Sequence, residues 1–143
     1  MRQASINSES VTPSPALPRR QPAERYHALL TSHHLISPTK RRSLQAWSSD
    51  LCISGFAKVG YPGVIYAEGD RGAVEDFVQR IKAMQWLALR VRFTEELPSE
   101  LASPDVSRSW TFLEKVGEVV EEMRRLGREE YVVEMGIGSA GQK

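Results

Sequence analysis

Four turn-forming residues, Gly60-Tyr61-Pro62-Gly63, lie between two runs that suit short strands, Cys52 to Val59 and Val64 to Glu68. A hairpin here constrains the chain strongly because of what flanks it. Upstream, Tyr26 to Ile36 is rich in strand-forming residues. Ser37 and Pro38 then supply an N-cap and a first helical residue for a segment in which Leu44, Trp47 and Leu51 recur at helical spacing. Downstream, Asp70 is placed to cap a helix whose Val74, Phe77, Val78 and Ile81 form one apolar stripe, with Asp76 four residues before Arg80. Leu87, Leu89, Val91 and Phe93 then alternate with Ala88, Arg90, Arg92 and Thr94, the pattern of a strand with one buried and one wet face. The order is βαββαβ. With its hairpin in the middle it is the split βαβ arrangement, an α+β ferredoxin-like fold with an antiparallel sheet and both helices on one face.

An added C-terminal helix is expected from about Ser109 to Leu126, with Leu113, Val116, Val120 and Met123 on its apolar side and Gly127 to end it. Arg128 to Met135 suits a short helix or a strand. The added helix either covers the second face of the sheet or leaves it open as a binding surface. Pro13, Pro15, Pro18 and Pro22 stand too close together for a helix or inner strand, so residues 1–24 read as a disordered arm. Residues 25–136 form the domain, 137–143 a flexible tail, and Pro98 to about Ser107 a loop. The 143 residues are enough for one core. No apolar run approaches the ~20 residues of a membrane span, and a monomer away from membranes is expected. Cys52 is the single cysteine, so no internal disulfide can form and a reducing, intracellular setting follows, nucleus or cytoplasm. The N-terminus has no apolar core of a secretory signal.

The series His33-His34-Leu35-Ile36-Ser37-Pro38-Thr39-Lys40-Arg41-Arg42, Trp47, Ser54-Gly55-Phe56, Pro62-Gly63-Val64-Ile65 and Glu68-Gly69 resembles the C-terminal domain of the splicing protein Prp-three. The same domain follows an RWD domain in RWD-domain-containing proteins. The likeness extends from about Tyr26 to Met135. It implies a ferredoxin-like fold and RNA binding, specifically paired small nuclear RNA with an adjoining single strand. Tyr61 stands in the turn where the family pattern leads one to expect lysine, which removes one phosphate contact.

Candidate RNA contacts follow from charge and position. Lys40, Arg41 and Arg42 fall in or near the first turn of a helix, where free backbone N–H groups and the dipole already favour an anion. The same run also reads as a solvated surface or a nuclear-import signal. Arg90 and Arg92 project to one side of a strand and form a positive stripe if that face is open; otherwise Glu114, Glu118 and Glu121 pair with them. Lys58 is a further phosphate contact, and His33 and His34 either stack on a base, donate to phosphate or close the strand structurally. A protein-interaction module is the second reading.

Catalysis is not expected. One cysteine gives no zinc spacing, and no third group orients Cys52 with His27, His33 or His34 as a nucleophile pair. Gly136-Ile137-Gly138-Ser139-Ala140-Gly141 mimics a dinucleotide motif without a following βαβ unit, so no cofactor is expected. Ser54 to Tyr61 partly matches the longer RNA-recognition signature, but has Ser54 for its basic residue and Lys58 for a stacking aromatic. Trp47 reads as core; Trp86 and Trp110 adjoin element ends.

Overall fold

A computed structural model describes residues 24–98, 101 and 109–136. The expected arm before Glu24, most of the loop after Pro98, and the tail from Ile137 lie outside the described residues. The elements are β1 (Arg25–Ser32), α1 (Pro38–Asp50), β2 (Ser54–Lys58), β3 (Gly63–Asp70), α2 (Arg71–Lys82), β4 (Arg90–Glu96), β5 (Trp110–Leu113) and α3 (Val116–Leu126), followed by a 3-10 helix (Glu129–Met135). The five strands form one sheet in the order β4-β1-β3-β2-β5. The first four are mutually antiparallel, which is the ferredoxin-like arrangement; β5 adds to β2 in parallel, so the whole sheet is mixed. Among the described residues no helix is long and apolar enough to cross a membrane.

Alternation along β1 and β3 sends side chains to both faces, and both faces are buried. Leu30, Ile65, Ala57 and Ala67 pack with Leu44, Val74, Phe77 and Ile81 beneath α1 and α2. Leu29, Phe56, Val64 and Tyr66 pack on the other side with Val119 and Met123 of α3 and Val132 and Met135 of the 3-10 helix. The second face is therefore covered. Gly55 makes the closest approach: its φ is +141°, and a Cβ there would stand 2.0 Å from the Tyr66 carbonyl oxygen. Only glycine fits where β2 lies this close to β3.

Three expectations are corrected. The segment from Trp110 to Leu113 is a strand, not the first turn of the last helix, and α3 begins at Val116. Trp110, Thr111 and Phe112 favour a pleated, half-buried edge, while Glu118 accepts from the backbone N–H groups of Glu114 and Lys115 at 2.8 and 3.0 Å and starts the helix after them. Asp70 occupies the N-cap position of α2 without a side-chain cap bond; its carboxylate pairs with Arg25 at 3.2 Å instead. The first strand ends at Ser32, leaving His33 and His34 beyond it.

The covered face contains a polar network. Arg128, 2% exposed, donates through Nε and Nη2 to the two oxygens of Glu68 at 2.6 and 3.2 Å. The Tyr66 hydroxyl donates to Glu68 at 2.7 Å and lies 2.8 Å from His27 Nδ1. His27 Nε2 is 3.3 Å from Glu95, and the ring packs against Phe93 and Tyr131. Burial holds the His27 imidazole below its ordinary value, outweighing the upward pull of Glu95 and Glu68 and adding to the repulsion from Arg128. The unfolded chain thus binds a proton more readily than the folded one. Stability from this group is present above about pH 6.5 and lost as the pH falls below it. The urea midpoint, followed by circular dichroism, is expected to fall between about pH 7.5 and about pH 5.5, and His27→Gln to flatten that slope.

Candidate nucleic-acid interface

The end of the sheet where β1 stops gathers most of the residues singled out in the sequence. Ser32 pairs with Gly63 at the base of the β2–β3 turn, the N–H of His33 donates to the Leu87 carbonyl at 3.0 Å, and Leu35 exchanges backbone bonds with Gly60. These ties place the start of α1, the hairpin turn and the start of β4 side by side. His33, His34 and Tyr61 form a ring cluster with centroids 5.0 to 5.4 Å apart. Tyr61 is 64% exposed, so the ring in the expected lysine position presents a stacking face in place of a charge.

Ser37 caps α1, its hydroxyl accepting from the N–H of Lys40 at 3.2 Å, with Pro38 next and no acidic residue in the first turn. The Lys40 ammonium lies 5.0 Å from the centre of the Trp86 ring, and the Arg41 guanidinium 5.1 Å from that of Phe112. Arg42 reaches Thr39 at 3.4 Å. Both cation–ring contacts join α1 to residues far along the chain.

Arg90 stands opposite Thr31 in register, and the pairing shifts between Leu29 and Leu30, where Arg92 is the extra residue on β4. Arg92 Nε donates to the Thr31 hydroxyl at 2.9 Å. The bulge places both exposed arginines beside Thr31, near the end of β1. The acids of α3 do not pair with them: Glu118 serves the start of its own helix, and Glu121 pairs with Arg124 at 3.0 Å.

Lys58 is a correction. It is 2% exposed, and its ammonium donates to the carbonyls of Val59, Tyr61 and Pro62 at 3.0, 2.9 and 2.9 Å. All three protons are committed to the hairpin turn, and burial pushes its pKa down. Lys58 ties the turn together and leaves no proton for a phosphate. Lys58→Met is expected to lower the unfolding free energy by about 1.5–3 kcal/mol, the worth of hydrogen bonds from a charged donor to the turn carbonyls. Urea titration checks this, while RNA affinity of the folded variant is expected to match the parent.

Cys52 follows the last turn of α1, at the other end of that helix from His33 and His34, and His27 is buried under the opposite face of the sheet. The structure therefore does not bring the cysteine and histidines together. Sequence reasoning missed Phe112 and Trp86 as floors for Arg41 and Lys40. Phe112 was hidden by its reading as part of a helix, and Trp86 sits in the connection before β4, where no periodicity assigns a partner.

Residues 28–125 match the family model described as the small nuclear ribonucleoprotein Prp3, C-terminal domain. The chain belongs to the Prp3 C-terminal domain family. The match takes in β2 to β5, α1, α2 and most of β1 and α3, and stops before the 3-10 helix that completes the second covering layer. Among solved structures, a BLUF domain titled BlrP1 BLUF is similar with a TM-score of 0.56 at 14% identity, over 74% of this chain and 78% of that one. BlrB, a BLUF protein in its dark state, is similar with a TM-score of 0.51 at 16% identity, over 82% of this chain and 98% of that one. These likenesses show that the Prp3 domain shares its sheet-and-helix fold with proteins of distant sequence.

Proposed function

We propose that this chain is a non-catalytic RNA-binding module that grips the phosphate backbone at the end of the sheet where β1 stops, in a nuclear, splicing-related setting. One observation carries the reading. Of the arginines among the described residues, Arg25, Arg71, Arg80, Arg124, Arg125 and Arg128 each pair with a carboxylate. Arg41, Arg42, Arg90 and Arg92, with Lys40, make no ion pair among the described residues, and all five gather around this end. Cations left without carboxylate partners, beside the exposed Tyr61 ring, suit a polyanion whose bases stack. The ribonucleoprotein named by the family supports the same reading. Ile36 and Leu87, both more than half exposed at this end, favour a protein partner as the second reading.

The test is fluorescence anisotropy with labelled single-stranded RNA, blunt duplex, and a duplex bearing a single-stranded overhang, at low and moderate salt. Binding is expected to weaken with salt, and Arg41→Gln with Arg42→Gln to weaken it across sequences. Each lost phosphate contact is expected to lower the slope of log affinity against log salt by about 0.7–0.9. Both side chains are exposed, so the circular dichroism spectrum is expected to stay unchanged. Unaltered affinity in the double variant, or no binding to any of the three RNAs by folded protein, overturns the reading and favours the protein partner.

A further inference from the structure

We propose that β4 is a docking edge for a second copy of this chain: the two β4 strands pair antiparallel about a two-fold axis at Thr94 and join two five-stranded sheets into one. β4 ends the strand order β4-β1-β3-β2-β5, and β1 is its one strand partner among the described residues. Its seven residues, Arg90–Glu96, include neither proline nor lysine, which commonly close an open edge. The opposite edge, β5, offers only four residues. The Leu97 N–H donates inward to the Arg25 carbonyl at 2.8 Å, so alternation turns the N–H and C=O of Glu96 and Thr94 away from β1. Those backbone groups are placed to bond a further strand.

The strand carries its own complement, which singles out a second copy as the occupant. Arg90 and Arg92 lie at its start, and Glu95 and Glu96 at its end. A parallel copy would set like charges together, whereas an antiparallel one sets each end against its opposite. With Thr94 opposite Thr94, Glu95 falls opposite Phe93 of the second copy, beside that copy's Arg92. The two side chains leave the same face of the sheet, because Glu95 reaches His27 and Arg92 reaches Thr31, alternate residues of β1. Glu95 is half exposed, and Arg92 has no carboxylate partner among the described residues. The two-fold axis makes this ion pair twice, once on either side of Thr94. Since Arg92 is the extra residue of the bulge, Val91 falls opposite Glu96 of the second copy, and its side chain, 39% exposed, gains cover there. The pairing uses Arg92 but none of Lys40, Arg41 and Arg42, so it stands apart from the RNA-binding reading.

The test is sedimentation velocity on the full chain, without RNA, over a concentration series. The parent is expected to move from the 16.1 kDa monomer toward twice that mass. Arg92→Glu sets glutamate against glutamate across the axis, and Glu95→Arg sets arginine against arginine. Each alone is expected to stay monomeric where the parent is dimeric. An equal mixture of the two is expected to return the dimer, because every new charge then meets its opposite; that recovery also shows both variants to be folded. Thr94→Pro removes an N–H that β1 does not use and is expected to abolish the dimer with the circular dichroism spectrum unchanged. A parent that stays monomeric up to about 1 mM, the weak end of specific association, overturns the proposal. So does a dimer that survives Thr94→Pro and both charge reversals, which places the contact on another surface. Either failure leaves the RNA-binding reading standing.

Discussion

The buried pair of Glu68 and Arg128 decides which surfaces the domain has to offer. A carboxylate pointing into the second face of the sheet, alone, would be too costly to desolvate. Arg128 meets it from the residue that links α3 to the 3-10 helix. The pair therefore requires the C-terminal elements to close over Tyr66 and His27, and those two side chains complete the hydrogen bonds that the carboxylate and hydroxyl need. Removing either charge leaves the other uncompensated. A sheet face that carries such a pair cannot at the same time be a platform for bases.

Function is consequently displaced to the end of the sheet and to the flank of α1. There the local arrangement reverses the logic of the covered face. Charges are kept without carboxylate partners, the Tyr61 ring is exposed, and the positive end of the α1 dipole lies beside three cations. Lys58 separates the two regimes. It comes from a strand that faces both, yet its ammonium is spent on the carbonyls of the turn, fixing the loop that holds Tyr61 beside His33 and His34.

Much of the fold was legible because its signals are local. Ser37-Pro38, the apolar stripe from Val74 to Ile81 and the turn at Gly60 to Gly63 each point to one structure within a few residues. The stretch before α3 was not legible because Leu113, Val116, Val120 and Met123 keep helical spacing across a boundary. Leu113 packs on the same cluster as Val116 while belonging to a strand. Its strand character comes from pairing with Lys58 of β2, which no local pattern reveals. For the candidate site, the positions of Lys40, Arg41 and Arg42 follow from the helix start, whereas their aromatic floors depend on tertiary contacts. Lys58 reads as a surface cation because alternation in a strand says which face a side chain leaves from, not where a long flexible stem ends.

β5 is the one parallel pairing among the described strands, and it joins Trp110 to Gly55 across a long stretch of chain. The hairpin between β2 and β3 closes over a few residues, whereas this pairing must overcome the entropy of a large loop before it gains anything from contact. The Trp110 and Phe112 rings that β5 lays on the core offset that loop cost. Because that edge strand supplies the Phe112 ring beneath Arg41, binding of a ligand by Arg41 and order in β5 are thermodynamically linked. A ligand held there tightens the edge strand, and a looser edge weakens the ligand by the same free energy.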